Sequence, residues 1–386
     1  MGHFIPLSIP NLNGNEEKYV VEAVRSQWVS TAGGSIKEFE EKFGAYLGMD
    51  TACACQSGSA GLHLCLRHFG VGPEDIVLVP TLTFVATVNA VMYQSATPVF
   101  FDCDEHLCMD AKQIQTYIDA RCTFAQGALT ETESGKTVKA IVPVHVFGDL
   151  CDMDAIMDIA EKYHLVVIED ATEALGSVVS HGRYAGKQAG TIAHASVFSF
   201  NGNKIITTGG GGMVVSNDPA TVEHIRYLSQ QAKDDVMYFV HEEYGYNYRM
   251  TNLQAALGLA QLEQLEGFLE TKRKNYALYQ SLLKDDPTGT ILPFGAEQAN
   301  DWFYSFCLHT PSAEKRDALL QYLNQNQVQV RPIWKLNHLQ TPFRGYFAMP
   351  TPKAEDFYAR IVNLPCSTNL SEEDVRAVCT LIGAFA

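Results

Sequence analysis

The stretch Val197-Phe198-Ser199-Phe200-Asn201-Gly202-Asn203-Lys204, continued by Thr207-Thr208 and the run Gly209 to Gly212, sets an apolar β-rich segment against a lysine and four glycines. A lysine at the end of a buried strand is poorly solvated. Its charged form is disfavoured there, which leaves a neutral amine able to attack an aldehyde and form a Schiff base. Ser199, five residues earlier, can offer its hydroxyl to a phosphate on the same ligand. Taken alone, Lys204 reads equally well as a loop lysine beside a flexible glycine run.

Working outward, apolar runs at Ile76 to Pro80, Val99 to Asp102, Ala140 to Phe147, Val166 to Asp170 and Ser196 to Phe200 alternate with stretches of helical period. That rhythm predicts a mainly parallel sheet wrapped by helices. Between Leu150 and Leu165 the spacing of Met153, Ile156, Met157 and Ala160 predicts a crossover helix. From Thr251, Leu253, Ala256, Leu257 and Ala260 predict one long helix whose far end, Lys272-Arg273-Lys274, is solvated. Beyond it the pattern is mixed: strand-like runs near Trp302 to Leu308 and Val328 to Ile333, then a helix opened by Ser371 and Asp374 as a capping box. The expected fold class is α/β, with a large domain over 1–265 and a smaller α+β domain over 266–386. Gly14 to Ala45 is a segment that can pack with the smaller one.

Three further segments carry chemistry. Val166 to Asp170 is an apolar strand ending in acid, and ligands of open α/β sheets sit at that carboxyl edge. Asp170 there can pair with a protonated pyridine nitrogen, or serve as a helix N-cap. Cys55-Gln56-Ser57-Gly58-Ser59-Ala60-Gly61 precedes the apolar helix Leu62 to Leu66, so Gly58 and Ser59 can cradle a phosphate on free N–H groups, or simply cap the helix. The segment matches neither GxxxxGK[ST] nor GxGxxG. Pro80-Thr81-Leu82-Thr83-Phe84 places an aromatic ring at the same edge, where Phe84 can stack on a flat ring or belong to the core.

At 386 residues and 46% apolar composition the chain can bury a sizeable core. A formal net charge of −16 without a basic stripe disfavours nucleic acid and anionic membrane as partners. The ten cysteines include no CxxC pair and no zinc-spaced cluster, which predicts reduced thiols and no metal. The stretch from Met1 to Pro6 lacks the charged and apolar regions of a secretory leader, and a cytoplasmic location is expected.

Together these segments resemble the aspartate-aminotransferase fold and, more narrowly, the DegT/DnrJ/EryC1/StrS sugar aminotransferases. The resemblance also runs through Trp28-Val29-Ser30-Thr31-Ala32-Gly33-Gly34, Val144-His145-Val146-Phe147-Gly148, Glu169-Asp170-Ala171 and Gly245-Tyr246-Asn247-Tyr248-Arg249-Met250. The form Ser199 to Lys204 is similar to the branch that aminates nucleotide-linked 4-keto-6-deoxy-N-acetylhexosamines in legionaminic acid and bacillosamine pathways.

The resemblance implies pyridoxal 5'-phosphate held by Lys204 as a Schiff base, Asp170 on its pyridine nitrogen and Phe84 on its ring. Gly58, Ser59, Ser199 and, from the partner of a homodimer, Asn247 would hold the phosphate. Glu173 stands where relatives often place an amide or another donor, and Asn201 where many carry His. Trp28, Arg249, Trp334 and His338 lie in segments that in relatives surround the sugar nucleotide. The implied reaction moves an amino group from glutamate to C4 of a keto-sugar on UDP. Two alternatives stay open: a dehydratase or deoxygenase of the same fold, a class known for replacing the lysine with His, and a non-catalytic sugar-nucleotide sensor.

Overall fold

In the computed structural model, which describes residues 3–235, 237–295, 299–300 and 302–385, the apolar runs become strands of one mixed sheet. The first two residues of the N-terminal stretch read for a leader lie outside the described residues. The strands are β1 (Ala52–Cys55), β2 (Asp75–Pro80), β3 (Thr97–Phe101), β4 (Cys122–Ala125), β5 (Ala128–Glu131), β6 (Thr137–Ile141), β7 (Val166–Asp170), β8 (Ala195–Ser199) and β9 (Gly212–Val215). Their order is β1-β9-β8-β7-β6-β2-β3, with the β4–β5 hairpin attached to β6. The pairs β3/β2, β2/β6, β6/β7 and β7/β8 are parallel, whereas β9 runs antiparallel to both β8 and β1. Parallel strands buried on both faces read as unbroken apolar runs, which is why Val166–Ile168 shows no alternation.

Parallel alignment brings Pro80, Asp170 and Ser199 out at one edge, and the antiparallel β9 starts there, with Gly212 opposite Ser199. The glycine run has a steric cause. A Cβ on Gly212 would lie 2.8 Å from Gly58 N and 2.7 Å from Ser57 C, so only glycine lets β9 pass this close to the start of the helix Gly58–His68. The crossover helix forms over Met153–Tyr163, capped by Asp152, whose side chain accepts the Ala155 N–H.

A second, wholly antiparallel sheet runs β10 (Gly289–Ile291), β11 (Tyr304–Leu308), β13 (Ile361–Leu364), β12 (Arg331–Pro332). Its core gathers Tyr304, Phe306, Val362, Leu364, Leu319 and Ile382. The capping box at the last helix forms as read: Ser371 Oγ accepts the Asp374 N–H, and Asp374 Oδ2 accepts from Ser371 N.

Four local expectations are corrected. The segment after Thr251 is two helices, Asn252–Leu262 and Leu265–Leu282, rather than one. Lys272 is not at a solvated end: it sits mid-helix, 2% exposed, donating to the carbonyls of Trp302 (2.6 Å) and Cys366 (2.8 Å). The run Ala140 to Phe147 leaves the ladder after Ile141, where Pro143 has no N–H to donate. Val144 makes a single bridge to Asp170, and Phe147 turns into a left-handed conformation at φ 55°. The helices Glu16–Arg25 and Gly34–Leu47 pack on Asn252–Leu262, and it is Ile5 and Leu7 that reach the segment leading into β12: Ile5 exchanges backbone hydrogen bonds with Gln327 and Gln329, and the Leu7 N–H donates to the Gln329 side chain. Among the described residues no helix is long and apolar enough to cross a membrane.

Candidate active site

Where β2, β7 and β8 end, a cavity of about 820 Å³ opens toward the second sheet. Gly58, Ser59, Phe84, Asp170, Glu173, Ser199, Asn201 and Lys204 line it from the first sheet, and Arg331, Trp334 and Lys335 from the other side.

Lys204 follows β8 through a turn closed by its own N–H on the Asn201 carbonyl (3.0 Å). Its Nζ lies 3.4 Å from Glu173 Oε1 and 3.8 Å from the centroid of the Trp302 ring. Burial pulls the ammonium below its ordinary range, against the opposing pull of the Glu173 and Asp170 carboxylates. Burial likewise pushes Glu173 up to about 7, while Lys204 and the Phe147 N–H pull it back. Glu173 Oε2 accepts that N–H at 2.9 Å, and the left-handed turn at Phe147 is what aims it. Trp302 closes the circuit, donating its backbone N–H to Phe147 O (2.9 Å) and its indole N–H to Asn203 O (2.6 Å).

Asp170 is 3% exposed and accepts from Thr87 Oγ1 (2.7 Å) and the Thr172 N–H (3.2 Å). These bonds fix its orientation on the cavity wall. Ser57 caps the helix Gly58–His68 by accepting the Ala60 N–H at 3.1 Å. The first-turn N–H groups of Gly58 and Ser59, which an α-helix leaves without partners inside it, belong to residues on the cavity wall. A Cβ on Gly58 would stand 3.1 Å from Ser199 Cβ and 3.0 Å from Thr172 Cγ2, so the cradle has no room for a side chain at that position. A desolvated amine, an oriented carboxylate, a helix N-terminus flanked by Ser199 and the half-exposed ring of Phe84 are the donor set that pyridoxal phosphate requires.

The structure therefore gathers nine of the residues read from sequence: Lys204, Asp170, Gly58, Ser59, Phe84, Glu173, Ser199, Asn201 and Trp334. Four others lie off this cavity. Arg249 is buried in an ion pair with Glu40 and donates to Ala54 O, because its strand-side position turns it under β1 rather than toward the ligand. His338 Nδ1 is 2.7 Å from Thr81 Oγ1, spent on joining two loops. Trp28 is 61% exposed, and its carbonyl accepts from Asn252 Nδ2. Asn247 is exposed, bridged to Gln230. Sequence reading missed Thr87, Trp302, Arg331 as a cavity residue and Lys335. Thr87 had a usable signal, since it lies one turn into the helix that Phe84 opens; Trp302 had none.

The DegT/DnrJ/EryC1/StrS aminotransferase family profile matches residues 10–383. The chain is 36% identical to the GDP-perosamine synthase of Caulobacter vibrioides, covering 97% of this chain and 96% of that protein. It is also 36% identical to a putative pyridoxal phosphate-dependent aminotransferase, EpsN, of Bacillus subtilis, over 96% of this chain and 92% of that one. Among solved structures, Helicobacter pylori PseC, described as an aminotransferase involved in the biosynthesis of pseudoaminic acid, superimposes with a TM-score of 0.88 at 26% identity over 99% of both chains.

Proposed function

Because the chain belongs to the DegT/DnrJ/EryC1/StrS aminotransferase family and is a pyridoxal-phosphate-dependent aminotransferase, we propose that it moves an amino group from glutamate to C4 of a nucleotide-linked 4-keto-6-deoxy-N-acetylhexosamine, with UDP as the nucleotide. The observation that carries this reading is the buried Lys204 amine set between Glu173 and the Trp302 ring, on the cavity that Asp170 also lines. A relative named for a GDP-sugar product supports a nucleotide-sugar substrate of some kind. Arg331 and Lys335 on the outer wall supply cations suited to a diphosphate, and Trp334 a surface for a base or sugar ring.

Pyridoxal phosphate, when bound, supplies an aldehyde that condenses with amines and a pyridinium ring that takes up the electron pair left by a departing proton. Lys204 would hold it, with Gly58, Ser59 and Ser199 on the phosphate and Phe84 against the ring. Desolvation keeps Lys204 Nζ in reach of its neutral form, so the amine would serve as a nucleophile and as a base that holds and returns a proton. Asp170, held by the Thr87 hydroxyl, would pair with the pyridine nitrogen and favour its charged form. Glu173, 3.4 Å from Nζ, can take or return that amine's proton near neutral pH. Asn247 and Trp28, exposed and turned off their own cavity, suit a homodimer in which Asn247 completes the partner's phosphate site.

The test is the visible spectrum of the protein with added pyridoxal phosphate, before and after glutamate and then borohydride. The expected result is a band that bleaches with glutamate, cofactor fixed on the Lys204 peptide by borohydride, and turnover of UDP-keto-sugars in preference to GDP-keto-sugars. Lys204→Ala should lose at least about a thousandfold in turnover. An active Lys204→Ala variant would end the assignment of the lysine; a preference for GDP-sugars would end that of the nucleotide.

A further inference from the structure

The second sheet presents one polar rung to the cavity that Lys204 lines. Asn363 on β13 pairs in register with Ser305 on β11 and with Arg331 on β12. Residues directly opposite on neighbouring strands share a face of the sheet, and Asn363 and Arg331 both line the cavity. The rung stands close to the Lys204 amine: Trp302, whose ring centroid is 3.8 Å from Lys204 Nζ, comes just before β11, and the stretch from it to Ser305 spans at most about 10 Å.

Asn363 is 4% exposed and its amide is held one way round, because Ser305 Oγ donates to Asn363 Oδ1 at 2.9 Å. With the oxygen taken, the amide has only its Nδ2 hydrogens to offer a ligand. Arg331 is exposed, and among the described residues its guanidinium has no ion-pair or hydrogen-bond partner. The rung is therefore a set of donors with one positive charge and no free acceptor. Asp170 and Glu173, the carboxylates that line the cavity, both belong to the opposite wall.

A set of donors without acceptors suits a ligand group that has oxygens and no hydrogen to give, as a carboxylate does. A sugar hydroxyl would find no acceptor here for its own hydrogen. On an amino acid the α-carboxylate is borne by the carbon that gives up the amine, so it has to be bound beside Lys204. The diphosphate of a sugar nucleotide hangs from C1, across the ring from C4, and is held farther out.

We propose that Asn363 and Arg331 form the subsite for the α-carboxylate of the amino donor, with Ser305 as the positioning residue that keeps the amide turned. The subsite rests on the transaminase reading above and deepens it. The two substrates take turns in the cavity, so the guanidinium is open to the carboxylate in one half-reaction and to the sugar nucleotide in the other, whereas Asn363 serves the donor alone.

The experiment is stopped-flow bleaching of the full-length protein loaded with pyridoxal phosphate, which gives a dissociation constant for glutamate by itself, set beside KM for the UDP-keto-sugar. Asn363→Asp puts a carboxylate where the amide donated and is expected to weaken glutamate at least about tenfold, with the sugar nucleotide's KM within about twofold of the parent protein. Arg331→Gln, at an exposed position, is expected to weaken glutamate by a similar factor and keeps the test open if Asn363→Asp fails to fold. Alanine, which has only the α-carboxylate, should lose the same factor as glutamate. Glutamate affinity close to the parent's in either folded variant, a loss confined to glutamate, or an equal loss for the sugar nucleotide in Asn363→Asp overturns the subsite. A parent protein that glutamate does not bleach ends the transaminase reading and the subsite together; normal bleaching with unaltered variants ends the subsite alone.

Discussion

Glu173 holds Lys204 and Phe147 at once: Oε1 lies 3.4 Å from Lys204 Nζ and Oε2 accepts the Phe147 N–H at 2.9 Å. One buried carboxylate thus couples the Lys204 amine to a left-handed turn more than fifty residues earlier in the chain.

The pH dependence of the cofactor-free protein follows from this pair. Glu173 is raised from 4.5 to about 7 on folding, so the folded state keeps a proton that the unfolded chain has released. The stability from this group is full below about 4.5 and is lost as pH rises through about 7. Lys204 is lowered from 10.5, so its contribution runs the other way, rising with pH toward 10.5. Glu173→Gln is expected to remove the fall in stability with rising pH between about 4.5 and 7, a change of about 2 to 3 kcal/mol across the window, read as urea midpoints from pH 4 to 8. An unchanged profile would show that Glu173 titrates at its ordinary value.

Thr87 orients Asp170 through a 2.7 Å hydrogen bond. Thr87→Val removes one of the two hydrogen bonds described for the carboxylate, an interaction worth roughly 1.5 to 3 kcal/mol. Turnover should fall about tenfold or more, with expression and melting temperature little altered. Full activity in this variant would mean that Asp170 is positioned without Thr87.

Arg249 tests the division between site and scaffold. Its partner Glu40 is bound also by Arg226 and accepts the Ala54 N–H, so the cluster ties two helices to β1. Arg249→Met should cost about 3 kcal/mol of stability, while KM for the sugar nucleotide stays within about twofold of the parent protein. A large rise in KM at unchanged stability would return Arg249 to the substrate.

Lys272 acts at a distance from the chemistry. Its ammonium takes the Trp302 and Cys366 carbonyls, and Trp302 in turn lies under Lys204. Lys272→Met strands two buried acceptors, at about 2 to 4 kcal/mol, and should loosen the Trp302 ring. The expected signature is a lower melting temperature together with weaker pyridoxal phosphate affinity in a spectral titration. Loss of stability with unaltered cofactor affinity would separate Lys272 from the site.

Much of the site was legible before the fold was known, and for one reason. Asp170, Ser199 and Lys204 lie at or just beyond the ends of apolar runs, and Gly58 and Ser59 at the start of an apolar helix. Each can be placed by its immediate neighbours alone. Arg249 and His338 were misplaced because a polar residue beside a site motif carries the same local signature whether it faces a ligand or another side chain.

The amino-acid sequence by itself determined the strand and helix rhythm, the carboxyl edge and the chain order of the chemical groups, since these depend on side-chain period and on contacts a few residues apart. Tertiary structure alone decided that Thr87 holds Asp170, that Trp302 lies under Lys204, and that Lys272 is buried on carbonyls. Those pairs are 83, 98 and 30 or more residues apart. Their energies come from desolvation and geometry, which exist only once the two sheets have closed on each other.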